Sequence, residues 1–312
     1  MRYSHCFGKK SSRILLGTAY FGDTISKETA FEMMDKFREM GGTHIDTARY
    51  YADGASEAVV GEWLSLRGAN EMLVSTKGGY YDPDSGEKGR INVADVSSDL
   101  EKSLKALNVE TIDFYWLHRD DETKPVEEII DFMNRFVKEG KIKKFGASNW
   151  TSQRISEANE YAHKNGLMGF AASQIRFNPA YCLGERGGLV GMDEKEFMFY
   201  KNSNMPVVAY SSQAKGFFSK MSESGADSLS EKAKKRYLCD ENLSRLKVLE
   251  RLSKKYDASI AAVICGAMSS FDIPEVFPVI GGSRLGQIAD SLNGSDVIIE
   301  KNELEEIFKF EL

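Results

Sequence analysis

Cysteine is scarce and dispersed. The chain of 312 residues holds four, Cys6, Cys182, Cys239 and Cys265, with no C-x-x-C pair among them. Such spacing fits neither a disulfide framework nor a structural zinc site, so free, mostly buried thiols in a reducing compartment are expected. Histidine is equally sparse, at four, and neither H-x-H nor H-E-x-x-H occurs, which removes the usual zinc-hydrolase spacings. No apolar run approaches the ~18 residues of a membrane span. The opening MRYSHCFGKKSSRILLG contains none long enough for a signal peptide. Positive charge is also in deficit: the net charge is −6 and the pI near 5.5, whereas nucleic acids and acidic membranes call for a basic face. The short basic cluster KIKK (141–144) is expected to be a solvated helix-to-strand turn. With no heptad run or apolar stripe to mark an interface, a cytoplasmic monomer is the default.

What the chain has in abundance is alternation. Ile14–Gly17, His44–Asp46, Met72–Thr76, Ile112–Leu117, Lys143–Ala147, Phe170–Ile175, Pro206–Tyr210 and Val276–Ile280 are short apolar runs that suit buried strands. A helical pattern follows each. The first has Ser26 as N-cap and Ala30, Phe31, Met33, Met34 and Phe37 along one face. Others open at Asn92 and at Pro125, the latter placed in the first turn, and one closes at Gly140. Parallel strands need crossover helices, so eight strand–helix pairs predict an α/β protein: a (β/α)₈ TIM barrel forming a single domain over residues 1–312. A doubly wound open sheet is the rival, but no G-x-G-x-x-G follows the first strand. Two long polar loops, about 78–91 and 211–240, leave the carboxyl ends of strands three and seven. On a barrel that is the active-site rim, where such loops serve as substrate lids.

Titratable residues close several of these strands. Asp46 ends the second, Lys77 follows the third and His118 follows the fourth, with Tyr51 just beyond Asp46. A tyrosine with an ordinary pKa of about 10 exchanges its proton poorly near neutrality. An adjacent ammonium is expected to lower that pKa, and an aspartate to hold the ammonium in place. A histidine can then orient a carbonyl oxygen, and the group as a whole suits general acid chemistry. A rival use of the same residues is a metal-dependent hydrolase: His44 and Asp46 share a strand face, and His118 with a modified Lys77 could complete the ligand set. His5 and His163 are expected to be structural. Arg119, next to His118, could engage a substrate carboxylate or phosphate, but a salt bridge with Asp120 or Asp121 is the expectation. Tyr20, Phe21, Tyr50, Tyr80, Tyr81 and Trp150 are candidates for an aromatic wall.

The runs GGTHIDTARYYADGASE (41–57), VSTKGG (74–79), DFYWLHRD (113–120), FGASNW (145–150) and VIGGSRLGQIADS (279–291) resemble, in order, the signatures of the aldo-keto reductases. The resemblance implies an NADP-dependent reductase that turns an aldehyde or ketone into an alcohol, with Asp46, Tyr51, Lys77 and His118 as catalytic tetrad. The family's spacing selects Tyr51 over Tyr50. It further implies that Ser148, Asn149 and Gln174 hold the nicotinamide carboxamide and that Tyr210 stacks on its ring. Ser211, Gln213 and Lys215 would meet the pyrophosphate, although SSQAKG (211–216) departs from the family's Ser-Pro-Leu. Gly281, Gly282, Ser283, Arg284, Gln287 and Asp290 would wrap the adenosine phosphate. Ser283 and Arg284 favour NADPH, with NAD possible, because a guanidinium pairs bidentately with a 2′-phosphate. A regulatory or redox-sensing barrel that binds cofactor with little turnover is the alternative.

Overall fold

In the computed structural model, which describes residues 1–81, 89–183 and 188–309, the chain begins with a small antiparallel hairpin. Strand β1 (Tyr3–Ser4) pairs with β2 (Ser11–Ser12). Eight further strands follow: β3 (Leu15–Gly17), β4 (His44–Asp46), β5 (Leu73–Gly78), β6 (Ile112–Leu117), β7 (Ile142–Ser148), β8 (Ser173–Arg176), β9 (Val207–Tyr210) and β10 (Val276–Ile280). They pair in parallel in chain order, and β10 returns to β3 through Val279 and Leu15, closing the barrel. The expected strands are all present. Their bounds move by up to three residues, the largest change being β8, which starts at Ser173 because Phe170 packs outside the barrel against Trp150 with ring centroids 4.9 Å apart.

Strand alternation sorts the side chains into two cores. Leu15, Leu73, Phe114, Trp116, Val208 and Phe277 face the barrel axis, while Leu16, Val74, Tyr115 and Leu117 face the helices. Phe7, in the loop of the hairpin, closes the bottom of the barrel. Its ring meets His44, Phe114 and Phe277 edge-on at 5.0, 5.2 and 5.0 Å. Phe7 and its ring neighbours, His44 among them, fill the bottom, and the site lies at the opposite, carboxyl end.

The helices begin where the caps predict. Ser26 Oγ accepts from Thr29 N at 3.3 Å to open Lys27–Glu39, and Asn92 Oδ1 accepts from Asp95 N at 3.0 Å to open Val93–Leu107. Pro125 stands at the N-cap of Val126–Lys138, one residue before the first turn. The segment 211–240 departs most from expectation. It is largely helical, with helices Phe217–Ser224 and Glu231–Tyr237 anchored by buried Phe217, Phe218 and Tyr237. Residues 82–88, most of the other expected lid, lie outside the described residues. The hairpin and a last helix, Lys301–Phe308, were not anticipated.

Candidate active site

The inward-facing rows of β4, β5 and β6 end in polar groups, and strand register brings them together. Asp46 sits opposite Ser75, and Lys77 opposite Trp116. Lys77 lies within β5 rather than beyond it, because the strand runs on to Gly78. Its Nζ donates to Asp46 Oδ2 at 2.7 Å, to the Thr47 carbonyl at 2.7 Å and to Tyr51 Oη at 3.2 Å. The three donors of the ammonium are thereby used. Asp46 Oδ1 accepts from Ser75 Oγ at 2.9 Å and from Gln174 Nε2 at 3.0 Å, so the carboxylate is fully engaged.

Tyr51 reaches this group from a tight turn after β4, where its N–H bonds to the Ala48 carbonyl at 3.0 Å. The turn continues through Gly54 at φ 89°, where any side chain would run into the Arg49 guanidinium. Arg49 in turn holds the loop by Nη2 to the Asp53 carbonyl at 2.8 Å and Nη1 to Glu57 Oε2 at 3.3 Å. His118, just past β6, completes the set, its ring 5.8 Å from that of Tyr51 at 84°. Tyr50, by contrast, stacks on Tyr80 at 3.7 Å at the exposed mouth.

Burial dominates the proton affinities here. Burial pushes the Tyr51 phenol above its ordinary pKa, and the Lys77 ammonium only partly offsets this. The expectation of a lowered value is therefore corrected: the phenol is held in its protonated form. Burial also opposes the charge on Lys77, but Asp46 and Tyr51 outweigh it and the pKa rises. Burial, then Lys77 and Arg119, hold His118 well below the usual histidine range. Its imidazole is neutral at physiological pH, and its buried Nδ1 has no partner among the described residues.

A cavity of about 1150 Å³ opens above this group. Asp46, Tyr51 and His118 line one end. Along its length lie Ser148, Asn149, Gln174, Tyr210, Ser211, Gln213, Lys215, Gly281, Gly282, Ser283, Arg284, Gln287 and Asp290. Lys77 sits beneath the surface. Tyr210 Oη donates to Asn149 Oδ1 at 2.7 Å, and Asn149 turns the chain at φ 60°, a conformation asparagine tolerates. Gln213 Nε2 donates to Ser291 Oγ at 2.9 Å. Gln287 Oε1 accepts from Ser283 N at 2.8 Å and Arg284 N at 3.2 Å, capping helix Leu285–Asn293. Gln287 Oε1 is thus used at its own helix start, while Arg284 is exposed. The cavity, a ring at one end and cations at the other suit an extended dinucleotide.

Other expectations fare differently. Tyr20, Phe21 and Tyr80 line the cavity, but Trp150 is core: its Nε1 donates to the Arg119 carbonyl at 3.0 Å. Tyr81 Oη is tied to the Asp120 carbonyl at 3.0 Å. Arg119 pairs with neither neighbouring aspartate. Asp120 Oδ2 accepts from Arg154 Nε at 3.1 Å, and Asp121 Oδ1 from Thr123 Oγ1 at 2.6 Å. His44 is no metal ligand in waiting, since Ser11 Oγ lies 2.9 Å from its Nδ1 and Ser75 Oγ 3.0 Å from its Nε2. Among the described residues no cluster of three His, Cys, Asp or Glu could hold a metal, and no helix is long and apolar enough to cross a membrane. Sequence reasoning missed Ser75, although it precedes Lys77 by two on the same face. It also missed Lys220 and Lys254 on the cavity wall, which stand in no motif.

A closed parallel barrel with a lysine–aspartate pair, a tyrosine and a histidine at its carboxyl end has the architecture of a barrel oxidoreductase. The chain belongs to the aldo/keto reductase family, whose model matches residues 13–311. It is 30% identical to norsolorinic acid reductase B of Dothistroma septosporum over 95% of this chain and 77% of that protein. It is 29% identical to norsolorinic acid reductase of Aspergillus flavus, over 96% and 78%. It is 26% identical to aryl-alcohol dehydrogenase [NADP(+)] of Phanerodontia chrysosporium, over 96% and 82%. In fold it resembles a thermostable aldo-keto reductase crystallised with the inhibitor epalrestat, with a TM-score of 0.72, 21% identity and 99% of each chain covered.

Proposed function

We propose that this protein reduces an aldehyde or ketone to an alcohol with NADPH, with Tyr51 as the proton donor. The observation that carries the proposal is the unbroken contact from Asp46 through Lys77 to Tyr51 Oη at the floor of a cavity that His118 also faces. When bound, the nicotinamide supplies the hydride. Tyr51, kept protonated by burial, gives its proton to the carbonyl oxygen as negative charge develops there. Lys77 then stabilises the phenolate left behind, so its charge acts mainly after the proton has begun to move. Asp46, fixed by Ser75 and Gln174, holds Lys77 in line. Neutral His118 offers a ring N–H to orient the same oxygen. Ser148, Asn149 and Tyr210 would hold the nicotinamide, Ser211, Gln213 and Lys215 the pyrophosphate, and Arg284 with Ser283 the 2′-phosphate.

The names of the relatives support the proposal at two points. One carries NADP(+), and an aryl alcohol as substrate suits the ring wall of Tyr20, Tyr50 and Tyr80. The reading takes residues 1–312 as one working barrel in a cytoplasmic setting, which the four unpaired thiols suit.

Tyr51→Phe provides the test. The variant is expected to bind NADPH as the wild type does and to lose about 10²–10⁴-fold in kcat, the usual worth of a positioned acid. Retention of near-normal kcat would show that Tyr51 is not the acid. The raised Tyr51 pKa also sets a pH profile. A general acid works while protonated, so kcat/KM for reduction is expected to stay level from about pH 6 to 9 and fall only in more alkaline solution. A decline centred near neutrality would implicate another group.

A further inference from the structure

We infer that the natural substrate carries a carboxylate as well as its carbonyl, and that Arg119 receives it; the inference rests on the reductase reading above. Arg119 lines the cavity yet is only 8% exposed. Among the described residues its guanidinium makes one hydrogen bond, Nη1 to the Gly188 carbonyl at 3.2 Å, and its buried Nε has no acceptor. Of the two carboxylates beside it in sequence, Asp120 is paired with Arg154, and Asp121, whose Oδ1 accepts from Thr123, lies outside ion-pair distance of Arg119. A second guanidinium, Arg176, is 7% exposed and has a buried Nη1 without a partner among the described residues. Among the described residues neither arginine has a carboxylate within ion-pair distance. Burial raises the pKa of the Tyr210 hydroxyl, and both charges oppose that shift.

Buried cations without counter-charge are costly unless something supplies the anion. The cofactor is not that source, because its phosphates have their own cations, Lys215, Lys220, Lys254 and Arg284, along the cavity. Arg119 instead follows His118 directly and lies over the Tyr80 ring, 5.5 Å from its centroid, while that ring is 5.0 Å from His118. A carboxylate held by the guanidinium fork would leave the rest of the substrate along Tyr80, with its carbonyl oxygen toward His118 and Tyr51. Planar, bidentate recognition is what arginine supplies and a lysine does not.

The test compares 4-formylbenzoate with 4-formylbenzamide, which differ little in size and wholly in charge. In wild type, benzoate is expected to inhibit competitively at least about tenfold better than benzamide, as one charge-assisted pair would give. Arg119→Gln is expected to lower the ratio of kcat/KM for the charged over the neutral aldehyde by about ten- to a hundredfold. Arg176→Gln is expected to lower it by less, and Arg119→Lys to restore part of it. A purely structural arginine would depress both aldehydes together and leave the ratio alone. Equal inhibition by benzoate and benzamide, or an unchanged ratio in Arg119→Gln, overturns the inference. Should wild type reduce neither aldehyde, the reductase reading fails. Calorimetric binding of the two aldehydes with NADP⁺ present then decides the charge preference alone: tighter binding of the carboxylate, abolished in Arg119→Gln, upholds it, and equal binding overturns it.

Discussion

His44 shows how a single residue couples the barrel floor to the site above it. Ser75 has one hydroxyl proton and gives it to Asp46 Oδ1 at 2.9 Å, so at the 3.0 Å contact His44 Nε2 must be the donor. Burial keeps the imidazole neutral, so Nδ1 is the acceptor, and Ser11 Oγ turns its one proton to it at 2.9 Å rather than to the Ser12 carbonyl at 3.1 Å. Burial, helped by the Lys77 charge, lowers its pKa from 6.5 to about 3. The sign of the linkage follows. Between those values the unfolded chain binds a proton that the folded chain refuses, so stability present above pH 6.5 drains away toward pH 3, by roughly 5 kcal/mol in all. His44→Gln is expected to be less stable than wild type near neutrality, with the gap narrowing steadily as pH falls. Urea unfolding at a series of pH values measures this, and a constant gap would mean that His44 does not carry the proton linkage. The sequence could not decide this residue. His44 and Asp46 share a face, which admits a metal site, and only the hydroxyls of Ser11 and Ser75, brought in from other strands, show that both ring nitrogens are taken. Arg119 was opaque for a similar reason: the guanidinium that claims Asp120 lies 34 residues further on. Asp46, Tyr51, Lys77 and His118 were readable because charge at the end of an apolar run needs a partner, and motif order named the partners.

Among the elements, the eight barrel strands announced themselves as apolar runs between turn residues, each backed by a helical period and often by a cap such as Ser26 or Asn92. The N-terminal hairpin carried no such sign. Its strands are two residues each, Tyr3–Ser4 and Ser11–Ser12, and largely hydrophilic. What gives it purpose is Phe7, 2% exposed at the barrel floor among Phe114, Phe277 and His44. Helices Phe217–Ser224 and Glu231–Tyr237 were hidden in the same way, since a polar segment with few apolar anchors gives little periodicity. Tertiary contact at Phe217, Phe218 and Tyr237 supplies what periodicity does not. Phe7→Ala would leave a cavity at the floor and is expected to cost about 3–5 kcal/mol of stability, the usual range for a buried phenylalanine. Because the cofactor cavity opens at the other end, NADPH affinity should change little. Denaturant midpoints and an NADPH titration of the same variant check both halves, and a small stability loss would show that the hairpin is dispensable to the barrel.

For the molecule as a whole, charge is distributed against its own average. A chain of net charge −6 places Lys215, Lys220, Lys254 and Arg284 around one cavity, where they face Glu223, Glu250 and Asp290; the cations among them can meet the separate phosphates of a polyanion, an attraction that weakens as salt screens it. Arg284 is the most telling of the four. Its backbone N–H is fixed on Gln287 Oε1 at 3.2 Å, which sets the start of helix Leu285–Asn293, while its side chain is exposed at the cavity edge. The helix N-terminus adds its own positive field to that spot. A 2′-phosphate there would gain a bidentate, charge-assisted pair that NADH cannot form. Arg284→Ala is therefore expected to reduce the kcat/KM preference for NADPH over NADH by about ten- to a hundredfold, mainly by raising the KM for NADPH and leaving kcat with saturating NADPH near wild type. The same substitution should shrink the rise in Tm that NADPH gives the wild type, because a ligand stabilises in proportion to the logarithm of its concentration over Kd. Loss of kcat with the cofactor preference intact would place Arg284 in the chemistry or the fold, and the 2′-phosphate would have to be met by one of the neighbouring lysines.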